Sequence, residues 1–315
     1  MRSFSRSPAR TPSRGMISVL RSPLSFAALC AVLALPTSGR AQEPARPVAG
    51  QQVVLVTGST SGLGREVALR MGALGAHVIV HGRSEERGME VVREITAAGP
   101  GTARFYRADF ASFADVRSFA EALLGDYERL DLLVNNAGFG SAPDERLLSE
   151  DGHEFRFQVN YLSPFLLTRL LLPHLHASVP SRIVNVSSLA ANPIDFDDVM
   201  IENGFSGRRA YGQSKLSQVM FTFDLSEELA GTGIMVNALH PATYMPTGMV
   251  ARLGVEPAAT IDEGASAVMQ LITSNEIEGG QFFNGLNPGR ANAQAYDLDA
   301  RARLKRLSKQ LTGTG

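Results

Sequence analysis

Residues 53–64 read VVLVTGSTSGLG, and this stretch determines the predicted fold. Its first four residues are valine or leucine, as in a buried strand. A glycine-rich turn follows directly, and residues 65–74 continue with the pattern of a helix. Glycines allow a tight turn and let the backbone approach a pyrophosphate, which the N-terminus of the helix attracts. We interpret this stretch as a nucleotide-binding turn, with a plain turn between a strand and a helix as the alternative.

The rest of the chain alternates between short apolar segments and longer helical ones. Further strands are predicted at residues 78–80, 103–106, 130–134, 183–186, 235–239 and 281–283. Further helices are predicted at residues 85–97, 116–124, 155–172, 216–229, 262–272 and 291–311. This alternation predicts an α/β fold, a doubly wound parallel sheet of about seven strands with helices on both faces. No change in composition marks a second domain, so we assign residues 51–315 to one domain and residues 42–50 to a linker.

The end of the second predicted strand bears on the choice of nucleotide. An NAD site often has an acidic residue there for the ribose hydroxyls, but the stretch reads HGRS at residues 81–84 and the first carboxylate is Glu85. Arg83 is placed to meet a 2′-phosphate, which favours NADP(H) over NAD(H). The alternative is that Arg83 is a solvated charge at a helix start. Asp109, after the third strand, is placed to bind adenine or to cap a later helix.

The stretch YGQSK at residues 211–215 carries the candidate acid/base chemistry. Tyr211 and Lys215 are four residues apart and share one face of a helix. A nearby positive charge favours a phenolate and lowers the pKa of a tyrosine from about 10. A surface pair without function is the alternative.

The N-terminus and the composition bear on location and partners. Residues 1–41 contain several arginines, an apolar run at 24–35 and small residues before a possible cut after Ala41. This pattern predicts a secretory leader and therefore a periplasmic or secreted protein; an uncleaved membrane anchor and a cytoplasmic extension are the alternatives. The net charge of −1 indicates no general attraction to nucleic acid. The single cysteine, Cys30, excludes an intrachain disulfide.

Two clusters of possible metal ligands receive structural interpretations. His174 and His176 lie close together, but no further ligand accompanies them. Asp195, Asp197 and Asp198 fit a solvated loop better than a metal site. We therefore predict no metal.

Taken together, the motifs resemble those of the short-chain dehydrogenase/reductase family, over residues 51–315. The resemblance rests on TGSTSGLG at residues 57–64, NNAG at 135–138, Asn160 in VNYLSPFLLT, Ser188 in IVNVSS and YGQSK at 211–215. It implies a Rossmann-type version of the predicted sheet. The segment 192–209 and the run FFNGLNPGRANAQAYD at 282–297 resemble the retinol-dehydrogenase-like branch. One departure is Ala242, where the family often has glycine; another is the long interval between Ser188 and Tyr211.

The resemblance implies a role for each of four catalytic residues. Tyr211 is the expected general acid in reduction and base in oxidation. Ser188 is expected to hold the carbonyl oxygen, and Lys215 to bind the nicotinamide ribose and lower the pKa of Tyr211. Asn160 is expected to hold a water in a proton relay. The cofactor is expected to contact Gly58, Ser59, Ser61, Gly62, Leu63, Gly64, Arg83, Asp109, Phe110, Asn135, Asn136, Ala137, Gly138, Tyr211, Lys215, Pro241 and either Thr243 or Thr247.

The predicted function is an NADP(H)-dependent oxidoreductase that interconverts a carbonyl compound and an alcohol, with a small and mainly apolar substrate. A homo-oligomer formed through the helices near Phe155 and Tyr211 is also implied. An NAD(H)-dependent enzyme and a catalytically idle nucleotide-binding sensor or scaffold are the alternatives.

Overall fold

A computed structural model describes residues 45–314, and its centre is a single sheet. The strands in chain order are β1 Val53–Val56, β2 His77–Gly82, β3 Thr102–Arg107, β4 Leu132–Asn135, β5 Ser181–Val186, β6 Ile234–His240, β7 Phe282–Asn284 and β8 Asn287–Pro288. Their order across the sheet is β3-β2-β1-β4-β5-β6-β7-β8. The first seven strands are parallel, and the two-residue β8 pairs antiparallel with β7. The predicted α/β fold is confirmed, with β8 as an added edge.

Helices cover both faces of this sheet, as the unbroken apolar strands require. The helices are α1 Gly62–Ala73, α2 Glu85–Ala98, α3 Phe113–Asp126, a single turn α4 Phe155–Phe157, α5 Ser163–His176, α6 Gly207–Glu228, a single turn α7 Gly248–Ala251, α8 Ile261–Thr273 and α9 Leu298–Thr312. Side chains alternate along each strand. Val54 and Val56 therefore join the core under α1, α2 and α8, whereas Val53 and Leu55 join the core under α3, α5 and α6.

The strand order places a crevice at one edge of the sheet. The chain runs outward from β1 to β3 and then returns to the other side of β1 with β4. In sheets of this kind, ligands bind where the order reverses, at the carboxyl ends of the strands. The loops after β1 and β4 lie at this point, and the loop after β5 lies beside them.

The predicted helix at residues 155–172 is interrupted around Asn160. After α4 the backbone forms a π-helical segment, Gln158–Leu162, before α5 begins at Ser163. Pro164 has no N–H to donate to the carbonyl oxygen of Asn160, four residues earlier, which explains why regular α-helical bonding fails there. Beyond it, α5 passes through Pro173 and ends at His176, so the predicted end at residue 172 is too early.

The C-terminal segment differs from the predicted helix at residues 291–311. A short 3-10 helix, Ala293–Tyr296, comes first, and α9 then begins after Asp297, whose carboxylate caps the N–H groups of Asp299 and Ala300. Helix α9 packs against α6. Helix α9 also contacts the π-helical segment, where the hydroxyl of Tyr161 lies 2.6 Å from that of Ser308. The outer face of α6, predicted to form an oligomer contact, is therefore covered by the chain itself.

Within residues 45–314, no helix combines the length and apolar character needed to cross a membrane. The predicted leader at residues 1–41, with its apolar run, lies outside the described residues. Among the side chains considered as metal ligands, His174 has another partner, because its Nε2 lies 2.7 Å from the Tyr127 carbonyl oxygen. Asp195 and Asp197 pair with Arg209 and Arg303.

Candidate active site

Lys215 is buried beneath the end of β5. Its side-chain nitrogen donates to the carbonyl oxygen of Val186 at 2.8 Å and to Gln218 Oε1 at 3.0 Å. The hydroxyl of Ser187 donates to the Lys215 carbonyl oxygen at 2.7 Å, which joins the strand end to α6. Burial lowers the pKa of Lys215 to about 7, because the charged form loses its hydration. Gln218 is a partner that the sequence analysis did not identify.

Tyr211 lies one turn before Lys215 on α6 and faces Ser188. Burial raises the pKa of Tyr211, and the hydrogen bond with Ser188 opposes that rise. The Lys215 nitrogen is 5.8 Å from the centre of the Tyr211 ring. In the protein without cofactor, burial therefore dominates the pKa of Tyr211, and the lowering expected from Lys215 stays a prediction. The arrangement keeps the phenol protonated at neutral pH.

Asn160 connects the loop after β4 to the helix that carries Tyr211. Its Oδ1 accepts from the Phe139 N–H at 2.6 Å, and its Nδ2 donates to the Phe139 carbonyl at 3.0 Å and to Ser214 Oγ at 2.8 Å. Ser214 in turn donates to the Tyr211 carbonyl at 2.8 Å. The side chain of Asn160 is thus occupied by structural bonds. Pro164 also leaves the main-chain carbonyl of Asn160 without an α-helical donor.

The glycine-rich turn after β1 is held against the end of β2 by His81. Gly58 donates its N–H to His81 Nδ1 at 3.1 Å, and Ser59 donates its N–H to the His81 carbonyl at 2.9 Å. The His81 N–H donates to Ser59 Oγ at 3.0 Å. Burial lowers the pKa of His81 to about 4, so the ring is neutral and Nδ1 can accept. The role of His81 cannot be read from the sequence, because it depends on the pairing of β1 with β2.

Thr57 ties the same turn to the NNAG loop after β4. Its hydroxyl accepts from the N–H groups of Asn136 and Ala137, both at 3.0 Å, and donates to the Val134 carbonyl at 3.2 Å. The two loops touch closely, because a Cβ at Gly58 would lie 2.8 Å from Ala137 Cα and a Cβ at Gly64 would lie 2.3 Å from Asn136 Nδ2. Gly58 also has a φ of +64°, which favours glycine.

Two residues predicted to contact the cofactor have side chains that face the core. Asn135 Nδ2 donates to Thr168 Oγ1 at 3.0 Å and to Asn185 Oδ1 at 2.8 Å, so its side chain faces α5 and β5. The ring of Phe110 stacks on His81 with centroids 4.6 Å apart. Both side chains therefore support the site from within the core.

Arg83 and Asp109 lie together at the open end of the crevice. Arg83 Nη1 is 3.6 Å from Asp109 Oδ2, and the arginine side chain is 65% exposed. Asp109 does not cap the next helix, because the N-cap of α3 is Ser112, so that alternative is wrong. The arginine is thus beside the adenosine end of the crevice and retains exposed donors.

The remaining predicted cofactor residues surround the helix start and the loop after β6. Ser61 is the N-cap of α1, and its side chain accepts no hydrogen bond from that helix; Leu63 and Gly64 are buried behind it. Thr243 Oγ1 lies 3.0 Å from His240 Nε2 in the loop that contains Pro241. Thr247 caps α7 and packs near Gly62. Three features together fit a dinucleotide: the free N–H groups at a helix start, the glycines without room for side chains, and the buried amine.

Comparison with known proteins identifies relatives over most of the chain. The sequence profile described as short chain dehydrogenase matches residues 52–257. Retinol dehydrogenase 13 of Mus musculus is 35% identical over 291 residues, covering 86% of this chain and 86% of that protein. Retinol dehydrogenase 14 of Homo sapiens is 36% identical over 292 residues, covering 83% of this chain and 86% of that protein.

Solved structures show the same similarity in three dimensions. An uncharacterized protein from Mycobacterium paratuberculosis is 30% identical with a TM-score of 0.70, and the match covers 85% of this chain and 95% of that one. RhlG from Pseudomonas aeruginosa, solved in an active-site complex with NADP, is 27% identical with a TM-score of 0.61, covering 74% and 94%. The resemblance implied by the sequence motifs is confirmed by these relatives.

Proposed function

The chain belongs to the short-chain dehydrogenase family and is an NAD(P)-dependent oxidoreductase acting on CH–OH groups, and from this premise we propose that it uses NADP(H) with Tyr211 as the proton donor and acceptor. The cofactor carries the hydride. The chain's own residues orient the carbonyl compound or alcohol and move the proton.

The observation that carries this proposal is that the Tyr211 side chain on α6 faces Ser188, two residues after the end of β5. A carbonyl oxygen placed between these two groups accepts a hydrogen bond from each, which stabilises the negative charge that develops as the carbonyl carbon is reduced. Tyr211 then transfers its proton to that oxygen. Because burial raises the pKa of Tyr211 above its ordinary value, the phenol is protonated at neutral pH and can act as the donor when a carbonyl is reduced.

Lys215 and Asn160 support the same proton transfer. The Lys215 amine lies on the same face of α6 as Tyr211, buried at the strand end where the nicotinamide ribose is expected. The main-chain carbonyl of Asn160 is available to a water that links Lys215 to solvent. A Cβ at Gly138 would lie 3.3 Å from Asn160 Oδ1 and 3.6 Å from the Lys215 nitrogen, so the glycine keeps the space between them open.

The preference for NADP(H) rests on Arg83. Its side chain is 65% exposed at the end of β2, and its contact with Asp109 is 3.6 Å, longer than a tight hydrogen-bonded ion pair. The guanidinium therefore retains donors for a 2′-phosphate. Two similar solved proteins, from Pseudomonas aeruginosa and Escherichia coli, are described as complexes with NADP and NADPH, which is consistent with this choice.

Replacement of Tyr211 by Phe tests the proposed mechanism. We expect NADPH binding, followed by nicotinamide fluorescence, to remain while reduction of carbonyl compounds falls by roughly three orders of magnitude or more. Tyr106→Phe is the control, since its phenol donates to Asp126 on α3. Unchanged turnover by the Tyr211→Phe enzyme would exclude this tyrosine as the proton donor. Failure of the wild-type protein to bind NADPH or NADH would favour an idle scaffold.

Oligomeric state and location stay predictions. Helix α9 packs on α6, which is one of the two helices expected at the contact between copies. Export depends on residues 1–41, and N-terminal sequencing of the mature protein tests it directly.

A further inference from the structure

A cavity of about 230 Å³ opens beside Ser188, on the side of the sheet that carries α6. Leu189, Val219 and Phe282 contribute apolar walls, and Arg290 and Asn292 contribute polar groups. The volume equals roughly that of eight water molecules in the liquid. It is below the ~300 Å³ at which sites for drug-sized ligands begin. A short aliphatic chain therefore suits it better than a large ring system.

The polar groups of this cavity are hydrogen-bond donors. Arg290 forms no ion pair with an acidic side chain among residues 45–314, and its guanidinium lies 5.2 Å above the ring of Tyr296. Tyr296 also accepts the N–H of Ala291 at 3.0 Å, which fixes the backbone next to the arginine. Asn292 Oδ1 already accepts from the Gln294 N–H at 3.1 Å, which leaves the carboxamide NH2 to face a ligand.

The lining of the cavity contains no carboxylate within the part of the chain that the structure describes. A ligand group that meets the guanidinium and the carboxamide NH2 must therefore accept hydrogen bonds, and a negative charge on it is favoured. A carboxylate satisfies both conditions, because its two oxygens match the paired donors of an arginine. Positively charged ligand groups are disfavoured at the same position.

We propose that the substrate is a short aliphatic aldehyde or ketone, or the matching alcohol, that carries a carboxylate at the far end of its chain. This inference rests on the proposed function. In the reduction, the carbonyl carbon gains the hydride of the reduced nicotinamide, the carbonyl oxygen gains the Tyr211 proton, and the nicotinamide is oxidised. The distal carboxylate does not react; it pairs with Arg290 and places the carbonyl at Ser188.

The test compares 6-oxohexanoate with its neutral methyl ester, using NADPH and the full chain. We expect the kcat/KM of the wild-type enzyme to be about tenfold higher for the acid than for the ester, mainly because KM is lower for the acid. This is the size of effect that one charged hydrogen bond at a partly exposed site contributes. Arg290→Gln should remove this preference, so that the variant reduces the acid and the ester with similar kcat/KM. Arg306→Gln, which removes an exposed arginine of α9, is the matched control and should keep the preference.

A binding measurement separates this inference from the proposed function. Calorimetry with hexanoate and protein saturated with NADP⁺ reports on the cavity without any turnover. Equal kcat/KM for acid and ester in the wild-type enzyme would overturn the inference. If neither compound is reduced, the proposed function fails for these substrates, and the binding result decides the inference. Binding of hexanoate that Arg290→Gln weakens supports it, and binding that is absent or independent of Arg290 overturns it.

Discussion

The side-chain nitrogen of Lys215 lies 2.8 Å from the carbonyl oxygen of Val186, the last residue of the strand that leads to Ser188. The amine is almost fully buried there, and no carboxylate contributes to its pKa, which burial lowers to about 7. The site thus holds an amine whose charged form has no counter-charge in the protein. A position of this kind lowers stability and is expected where function requires the charge.

Replacement of Lys215 by Met should make the protein more stable at low pH while abolishing activity. Between pH 7 and 10.5 the unfolded chain holds the lysine proton and the folded protein does not, so wild-type stability rises with pH in this window. The variant lacks this rise. We expect the free energy of unfolding of the variant to exceed that of the wild type most below pH 7. This difference should shrink by up to about 5 kcal/mol toward pH 10.5, as measured by urea unfolding.

The control for this prediction is Lys309→Met, which removes an exposed lysine of α9. That variant should follow the wild-type pH profile. Parallel profiles for Lys215→Met and wild type would show that the amine is not desolvated in solution.

Arg83 is expected to determine the choice of cofactor. Replacement by Ala should weaken NADPH binding roughly 10- to 100-fold, since a charged hydrogen bond to the 2′-phosphate contributes about 1.5–3 kcal/mol. NADH binding should change little, because NADH lacks that phosphate. Fluorescence titration with each nucleotide measures both effects.

Arg87→Ala provides the matched control, since Arg87 is an exposed arginine one turn into α2. It should leave both affinities near their wild-type values. An equal loss of NADPH and NADH affinity in Arg83→Ala would indicate that the arginine positions the loop through Asp109 instead of reading the phosphate.

The sheet was predictable because local chemistry specifies it. The apolar stretch before Thr57 and the glycines after it predict a strand and a turn without knowledge of any neighbour. The same holds for the strands that end near Asn135 and Ser187. The interruption at Asn160 was missed, although Pro164 four residues later was the available signal, because the apolar pattern continues through it.

The parts of the site that escaped prediction depend on contacts between distant segments. His81 meets Gly58 only after β2 pairs with β1, and Gln218 meets Lys215 only after α6 docks on β5. Asn135 was expected at the ligand, but its side chain points into the core, where Thr168 and Asn185 bind it. The lowered pKa of Lys215 likewise follows from burial, and burial cannot be predicted from the spacing of residues within one helix.

His81 should position the glycine-rich turn, and its replacement should weaken cofactor binding. His81→Leu leaves the Gly58 N–H without its acceptor, so we expect NADPH to bind roughly tenfold more weakly. Acid stability should change as well. The folded-state pKa of about 4 lies below the ordinary 6.5, so wild-type stability falls as pH drops from 6.5 to 4, by up to about 3 kcal/mol. The variant should lack this contribution.

His77→Leu distinguishes the two effects, because His77 is at the other end of β2 and its pKa is also lowered to about 4. It should alter the acid dependence of unfolding without changing NADPH affinity. If both variants lose the same NADPH affinity, then both histidines act only through the general stability of the strand.

Arg301 should anchor the C-terminal helix that covers α6. Its guanidinium pairs with Asp224 at 2.6 Å and with Glu227 at 2.8 Å, and the arginine side chain is only 5% exposed. Removal of one member of a buried ion pair leaves a charge without its partner, so Arg301→Ala should reduce the free energy of unfolding by about 3 kcal/mol. Arg303→Ala removes an exposed arginine from the same helix, paired with the largely exposed Asp197, and should reduce the free energy of unfolding by less than about 1 kcal/mol.

Light scattering on the same samples would then show whether loosening α9 exposes the apolar face of α6. We expect the wild-type chain to form no contact through that face and the Arg301→Ala protein to associate with increasing concentration. If the wild-type protein associates and a substitution on α6 abolishes that association, this account of α9 is wrong.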